Sequence, residues 1–263
     1  MSNRKCATAI TVLFALTLSA FSASSASGAG AELFTCAKTP LGDLFGPHCL
    51  KTSSGDETRY KHLVWETGLT TGSISNINTA AGTSAAQSAI LRSALAGVNT
   101  EVTCKTVEGS VSIANKEEGG VAFGHTTGTS TFSGCVVKAP AEKGCKVKGE
   151  AITTEEVTAK TIGSGEEFEV KPLNAESKFA TITIEGCSIA ALNNSFSVAG
   201  SIKPRSNGAT LTTTHAQGTT AGTLKFGGQK AGLEAALTVK AHKPPKEGEE
   251  VEETKAISVT PKP

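Results

Sequence analysis

Glu167-Phe-Glu-Val-Lys171 puts Phe168 and Val170 on one side of an extended chain, with Glu167, Glu169 and Lys171 on the other. Thr181-Ile-Thr-Ile-Glu185 repeats the arrangement with Ile182 and Ile184. Successive side chains of a strand point to opposite faces, so apolar and polar residues at period two describe half-buried antiparallel strands with one solvated face. The same alternation runs outward in both directions. It is found in Glu101-Val-Thr-Cys-Lys-Thr-Val107, Ser110-Val-Ser-Ile113, Thr129-Ser-Thr-Phe132 and Cys145-Lys-Val-Lys148. It continues in Phe196-Ser-Val198, Thr210-Leu-Thr-Thr213, Leu224-Lys-Phe226 and Ala236-Leu-Thr-Val-Lys240. The chain of 263 residues holds 35 Thr, a residue at home on strands and poor in helices, and these segments place it on their outer faces. The expected class is all-β: an antiparallel β-sandwich or paired β-sheets, with two similar halves, stapled by disulfides.

Around this centre the pattern is less sharp. Residues 84–96 could line a helix or alternate as a strand, and the alternation of Ile90, Arg92 and Ala94 against Leu91, Ser93 and Leu95 favours a strand. Residues 69–83, rich in Thr, Gly, Ser and Asn, read as a loop. Tyr60-Lys-His-Leu-Val-Trp-Glu66 reads as a strand that tucks Trp65 into the core. The charged tail 243–263, which contains Pro244-Pro245, reads as disordered, although Ala256-Ile-Ser-Val-Thr260 could add a short strand.

The first 31 residues read as an export signal. Arg4 and Lys5 precede an apolar run from Ala7 to Phe21, and small residues lead to Ala29 and Ala31, with cleavage expected after Ala31. No second apolar stretch follows, so no membrane span is expected once the leader is gone and the localisation is secreted or envelope-associated. The remaining segments are an N-terminal extension at 32–83 with a Cys36/Cys49 loop, the β domain at 84–242 and the tail. Without Cys6, six cysteines remain: Cys36, Cys49, Cys104, Cys135, Cys145 and Cys187. An even count in an exported chain reads as a disulfide framework, and no spacing typical of zinc sites competes with it. Proximity in sequence suggests Cys36 with Cys49 and Cys135 with Cys145, which leaves Cys104 for Cys187.

An internal echo supports the idea of two halves. Val107-Glu-Gly-Ser-Val111, His125 and Gly128-Thr-Ser-Thr-Phe-Ser-Gly134 are matched by Val198-Ala-Gly-Ser-Ile202, His215 and Gly222-Thr-Leu-Lys-Phe-Gly-Gly228. Compositional bias in Thr/Gly-rich text can also produce such matches. Gly128-Thr-Ser-Thr-Phe-Ser-Gly-Cys135, Gly144-Cys-Lys-Val-Lys-Gly149, Phe179 through Ile184-Glu-Gly-Cys-Ser-Ile-Ala-Ala-Leu-Asn193, and Gly227-Gly-Gln-Lys-Ala-Gly-Leu233 together give a further resemblance. Over residues 84–240 the chain resembles a group of secreted actinobacterial proteins of unknown function. The resemblance implies an exported β-rich domain and carries no activity, ligand or site residue with it.

The chemistry-bearing residues are sparse. Asp43 and Asp56 are the only aspartates, and Asp-x-Asp, as in calcium loops, is absent. Net charge is +1 and no basic stripe stands out, so no nucleic-acid partner is expected. Glu117-Glu118, Glu155-Glu156 and Glu166-Glu167 are adjacent, and strand geometry sends such neighbours to opposite faces rather than across one cleft. Gly119-Gly-Val-Ala-Phe-Gly-His-Thr126 has the spacing of a phosphate loop but carries His125 where Lys must stand. One Trp and one Tyr make a multi-ring sugar platform hard to build, and Asn193-Asn-Ser195 is the glycosylation sequon. His125 and His215, matched in the echo, are the residues on which a hydrolase would have to rest, each with a Glu partner; no cofactor and no metal are expected. The reading is a non-enzymatic exported structural or binding module with an unknown envelope or extracellular partner, and an envelope hydrolase or glycan-acting enzyme is the alternative.

Overall fold

The computed structural model of the protein describes residues 31–38, 60–64, 70–76, 89–141, 144–163, 167–207, 210–215, 223–243 and 253–261. Residues 1–30 of the leader, Cys49 and Trp65 lie outside the described residues, so the expected Cys36–Cys49 pair falls outside them too. The strands in chain order are β1 (Ala31–Lys38), β2 (Tyr60–Val64), β3 (Thr70–Asn76), β4 (Ala89–Leu95), β5 (Val98–Cys104), β6 (Thr106–Glu118) and β7 (Val121–Ser133). They continue with β8 (Val136–Ala139), β9 (Lys146–Val147), β10 (Ala151–Thr153), β11 (Val157–Ile162), β12 (Glu167–Pro172) and β13 (Ala180–Glu185). The last are β14 (Ser195–Ala199), β15 (Arg205–Asn207), β16 (Thr210–His215), β17 (Lys225–Phe226), β18 (Gln229–Lys243) and β19 (Glu253–Pro261). The protein is all-β and every pairing is antiparallel, the class read from the alternation.

Followed from strand to strand, the hydrogen bonding returns to its start. β3 pairs with β6, β6 with β7, β7 with β11 and β11 with β12. β12 then meets the segment leading into β15 through Glu167↔Arg205 and Val170↔Ile202. β15 pairs with β16, β16 with β18, and β18 with β3. Eight strands thus enclose an interior, and a ring of that number is just wide enough for side chains or one small ligand. The longest hairpin, β6–β7, turns at Gly119-Gly120, both at positive φ (61° and 78°), as a two-residue turn between twisted strands requires. The phosphate-loop spacing noted above is therefore a hairpin turn running into a strand.

One end of the ring is filled by the main core. Leu95, Val102, Ile182, Ile184, Leu192 and Phe226 are nearly solvent-free there, contributed by the β4–β5 hairpin, the β13–β14–β17 sheet and the loop between β13 and β14. The Phe196 and Phe226 rings meet edge-on at 5.9 Å. At the other end a smaller cluster joins Leu33 to Val111, Ile113 and Phe168.

Several expectations are corrected. The described cysteines pair as Cys104–Cys135 and Cys145–Cys187, not as Cys135–Cys145 and Cys104–Cys187. Cys135 immediately precedes β8, whose partner is β5 through Thr103↔Val136, so Cys104 at the end of β5 lies beside it. Cys145 precedes β9, which pairs with β13 through Glu185↔Lys146, so Cys187 is its neighbour. Residues 69–83 contain β3 rather than only a loop. Its Gly72 is needed because a Cβ there would lie 2.6 Å from the Lys240 carbonyl oxygen and against Ile113, a tight bend that disguises the strand in sequence. The tail is not unfolded throughout, since β19 spans the Ala256–Thr260 alternation and pairs with β1 and β18. The echo does not mark equivalent halves: its first copy lies along the β6–β7 hairpin, while its second is spread over β14, β16 and β17.

Candidate functional site

Inside the ring lies a cavity of about 190 Å³. Along one wall run Leu233, Ala235, Leu237 and Val239, four successive inward residues of β18. Ile74 and Val111 extend this wall on the neighbouring strands β3 and β6, and Ala159 and Val170 line the cavity from β11 and β12. The end towards the main core is closed by Ile182, Val198 and Leu224. Small residues make the space: Ala159 and Ala235 stand where larger side chains would fill it. At Gly128 a Cβ would fall 2.8 Å from Val111 Cα, so the β6 and β7 backbones approach too closely there for any side chain.

Two backbone N–H groups of β7 beside this space have side-chain partners. The Ser130 N–H donates to Thr154 Oγ1 at 2.9 Å, and the Gly124 N–H donates to Thr161 Oγ1 at 2.9 Å. Thr161 is only 4% exposed, so its hydroxyl replaces a strand partner that the bent β7 lacks at that point. What faces the cavity is almost wholly hydrocarbon, which suits an apolar occupant and offers no group for bond making.

The mouth of the ring, opposite the main core, holds Leu33, 2% exposed, against Val111, Ile113 and Phe168. Its N–H donates to Asn115 Oδ1 at 2.8 Å, and Asn115 Nδ2 donates back to its carbonyl oxygen at 3.0 Å. β1 forms ladders with β19 and β2 but with none of the ring strands described. The Asn115 carboxamide serves the Leu33 backbone as a strand neighbour would. Gly124 makes room for the side chain, since a Cβ built on it would lie 3.0 Å from both Leu33 δ-methyls.

The histidines lie elsewhere. His125 is on the outer face of β7, where its Nε2 is 3.0 Å from Thr158 Oγ1 and its ring meets Phe123 edge-on. Burial lowers its pKa below the usual histidine range, and the charges of Lys116 and Lys160 push it the same way. His215 ends β16, a strand bonded to β15 and β18, whereas β7 is bonded to β6, β10 and β11; the two histidines thus sit on non-adjacent strands. The adjacent glutamates each give one member to an ion pair: Glu118 to Lys160 at 2.6 Å, Glu155 to Lys178 at 3.8 Å and Glu167 to Arg205 at 2.9 Å. Among the described residues no group of three His, Cys, Asp or Glu is placed to hold a metal ion. Asn193 of the sequon uses its side chain on the backbone of Cys187, accepting from its N–H and donating to its carbonyl, both at 2.8 Å. Among the described residues no helix is long and apolar enough to cross a membrane.

Sequence reasoning missed the cavity, Leu33 and Asn115. A signal for Asn115 existed: it shares the inward parity of Val107, Val111 and Ile113 on β6, and a polar residue at a core parity demands a partner. No protein-family model, curated protein or solved structure matches the chain.

Proposed function

We propose that the chain is an exported, non-catalytic binding module that holds a small apolar ligand inside its ring of strands. The observation that carries this reading is the cavity of about 190 Å³ with walls that are almost wholly hydrocarbon. Its size selects the ligand: an apolar cavity of about 150 Å³ accommodates benzene, whereas drug-sized ligands need roughly 300 Å³ or more. The occupant is therefore a small or slender hydrocarbon moiety. Two disulfides, Cys104–Cys135 and Cys145–Cys187, support export to an oxidising compartment, as does the leader-like sequence before Ala31.

The test is calorimetric titration of the full-length mature protein with 1-octanol, beside the double variant Ala159→Leu/Ala235→Leu, which fills the cavity from two walls. Saturable binding with a negative heat-capacity change is expected in the parent and its loss in the filled variant. Equal binding by both, or by neither, refutes the assignment. Export is checked separately by fractionation, where recovery of the protein only from cytoplasm would refute that part.

A further inference from the structure

The hydrocarbon wall of the cavity is interrupted on β7. Thr126, Gly128, Ser130 and Phe132, every second residue of that strand, line the cavity, so Ser130 turns its side chain inward. Ser130 is only 8% exposed, and among the described residues its Oγ has no hydrogen-bond partner. Its main-chain groups are both used. The N–H donates to Thr154 Oγ1 at 2.9 Å, and the carbonyl oxygen accepts from the Thr154 N–H at 2.8 Å. The side-chain hydroxyl alone is left over. Opposite it on β6 stands Gly109, where a Cβ would lie 2.9 Å from Ser130 Oγ. Glycine at that position therefore leaves the hydroxyl uncovered on the inner face, where a side chain would crowd it.

We propose that Ser130 is the polar anchor of the cavity, its Oγ–H donating to one neutral oxygen on an otherwise hydrocarbon ligand: a small alcohol, aldehyde or ketone. This rests on the binding function proposed above and adds the ligand's functional group and the residue that reads it. A hydroxyl hidden from water without a partner is a cost in the empty protein, and a ligand oxygen seated against it relieves that cost. Alanine or valine, which line the wall at Ala159 and Val170, would carry no such cost. Charge excludes the other oxygen-bearing amphiphiles. Among the described residues none that lines the cavity is charged, so a carboxylate or an ammonium group would be buried there without a counter-ion. The ligand is therefore an alcohol or a carbonyl compound rather than a fatty acid or an amine.

The experiment is calorimetric titration of the full-length mature protein and of Ser130→Ala with ethylbenzene, benzyl alcohol and benzoate. Ethylbenzene and benzyl alcohol match in size and differ by a methyl group for a hydroxyl. Each has about eight heavy atoms, which suits about 190 Å³ when about 150 Å³ accommodates benzene. Ser130→Ala is expected to weaken benzyl alcohol about fivefold, the equivalent of one hydrogen bond, and to leave ethylbenzene within about twofold. Benzoate is expected to bind neither protein. Because the hydroxyl has no partner in the empty protein, the urea midpoint of Ser130→Ala should equal or exceed the parent's. A lower midpoint would mean that the hydroxyl already serves a protein group, and the anchor would be overturned. If the parent binds and Ser130→Ala alters both neutral compounds alike, or neither, the anchor is overturned while the binding function stands. Benzoate binding as tight as that of benzyl alcohol overturns the neutral ligand class in the same way. If neither ethylbenzene nor benzyl alcohol binds the parent, the binding function itself has failed.

Discussion

Leu33 and Gly124 provide a stringent test of how β1 meets the ring. Gly124→Ala places a methyl group 3.0 Å from each Leu33 δ-carbon and nearer still to Cγ, so either the leucine or the β7 backbone must move. Overpacking of this kind costs about 1–3 kcal/mol. Leu33→Ala alone removes a side chain that is 2% exposed and leaves a hole at the mouth, at about 2–5 kcal/mol. In the double variant the new methyl enters the space the leucine has left. It meets nothing, and the loss of glycine's freedom in the unfolded chain adds about 0.4–1 kcal/mol of stability. Gly124→Ala should thus be destabilising in the parent and neutral or stabilising in the Leu33→Ala background, a coupling of about 1–3 kcal/mol. Urea unfolding with disulfides intact measures it: with a slope near 2 kcal/mol per molar, the expected coupling displaces the midpoint by about 0.5–1.5 M. Strictly additive midpoints would mean that Leu33 is not against Gly124, and the account of the mouth would be wrong.

Three other outcomes follow from the geometry. Non-reducing peptide mapping should recover Cys104 with Cys135 and Cys145 with Cys187. Removing either bond, across 31 or 42 residues, should cost about 4 kcal/mol, whereas recovery of a Cys135–Cys145 peptide would contradict the strand pairing. Asn115→Ala should cost about 2–4 kcal/mol, because the Leu33 N–H and carbonyl both lose their partner in a buried place; a melting temperature equal to the parent's would show that water serves them equally well. His125 resists protonation in the folded state, chiefly because it is partly buried and then because Lys116 and Lys160 are near. As the pH falls below about 6.5 the unfolded chain takes up a proton that the folded site refuses, so stability declines until the lower folded value is passed. His125→Gln should remove that part of the acid dependence, and an unchanged pH profile of the urea midpoint would exclude it.

The strands were legible wherever one face was apolar and the other polar. Glu167–Lys171 and Thr181–Glu185 fall within β12 and β13, and within the ambiguous stretch the described part forms β4, with alternating burial along Ala89–Leu95. β3 escaped because Ile74 is its sole apolar side chain and Gly72 sits at a close crossing. Disulfide partners escaped for a different reason. They depend on which strands become neighbours, and β5 beside β8 or β9 beside β13 is a matter of topology that separation along the chain does not encode. The cavity was hidden because its wall is drawn from valine, alanine and leucine, the residues that also fill a solid core. The difference between core and cavity lies in the small volumes of Ala159 and Ala235 once eight strands are brought together.

Asn115 shows why a polar residue belongs at an otherwise apolar mouth. A strand that caps a ring without joining its ladder presents an N–H and a carbonyl that nothing in the ring backbone can meet. Leucine or valine at position 115 would pack against Leu33 yet leave both groups unpaired, and burying an unpaired polar group costs more than a hydrogen bond returns. Aspartate could accept from the N–H, but it would set a charge against the carbonyl oxygen in an apolar surrounding. Serine is too short to reach both groups. A carboxamide both donates and accepts across the spacing of one residue, as a strand neighbour does. With Asn115 in place β1 can stand at the end of the ring while its ladders run to β19 and β2, and the attachment of Leu33 reduces to two hydrogen bonds and one side chain.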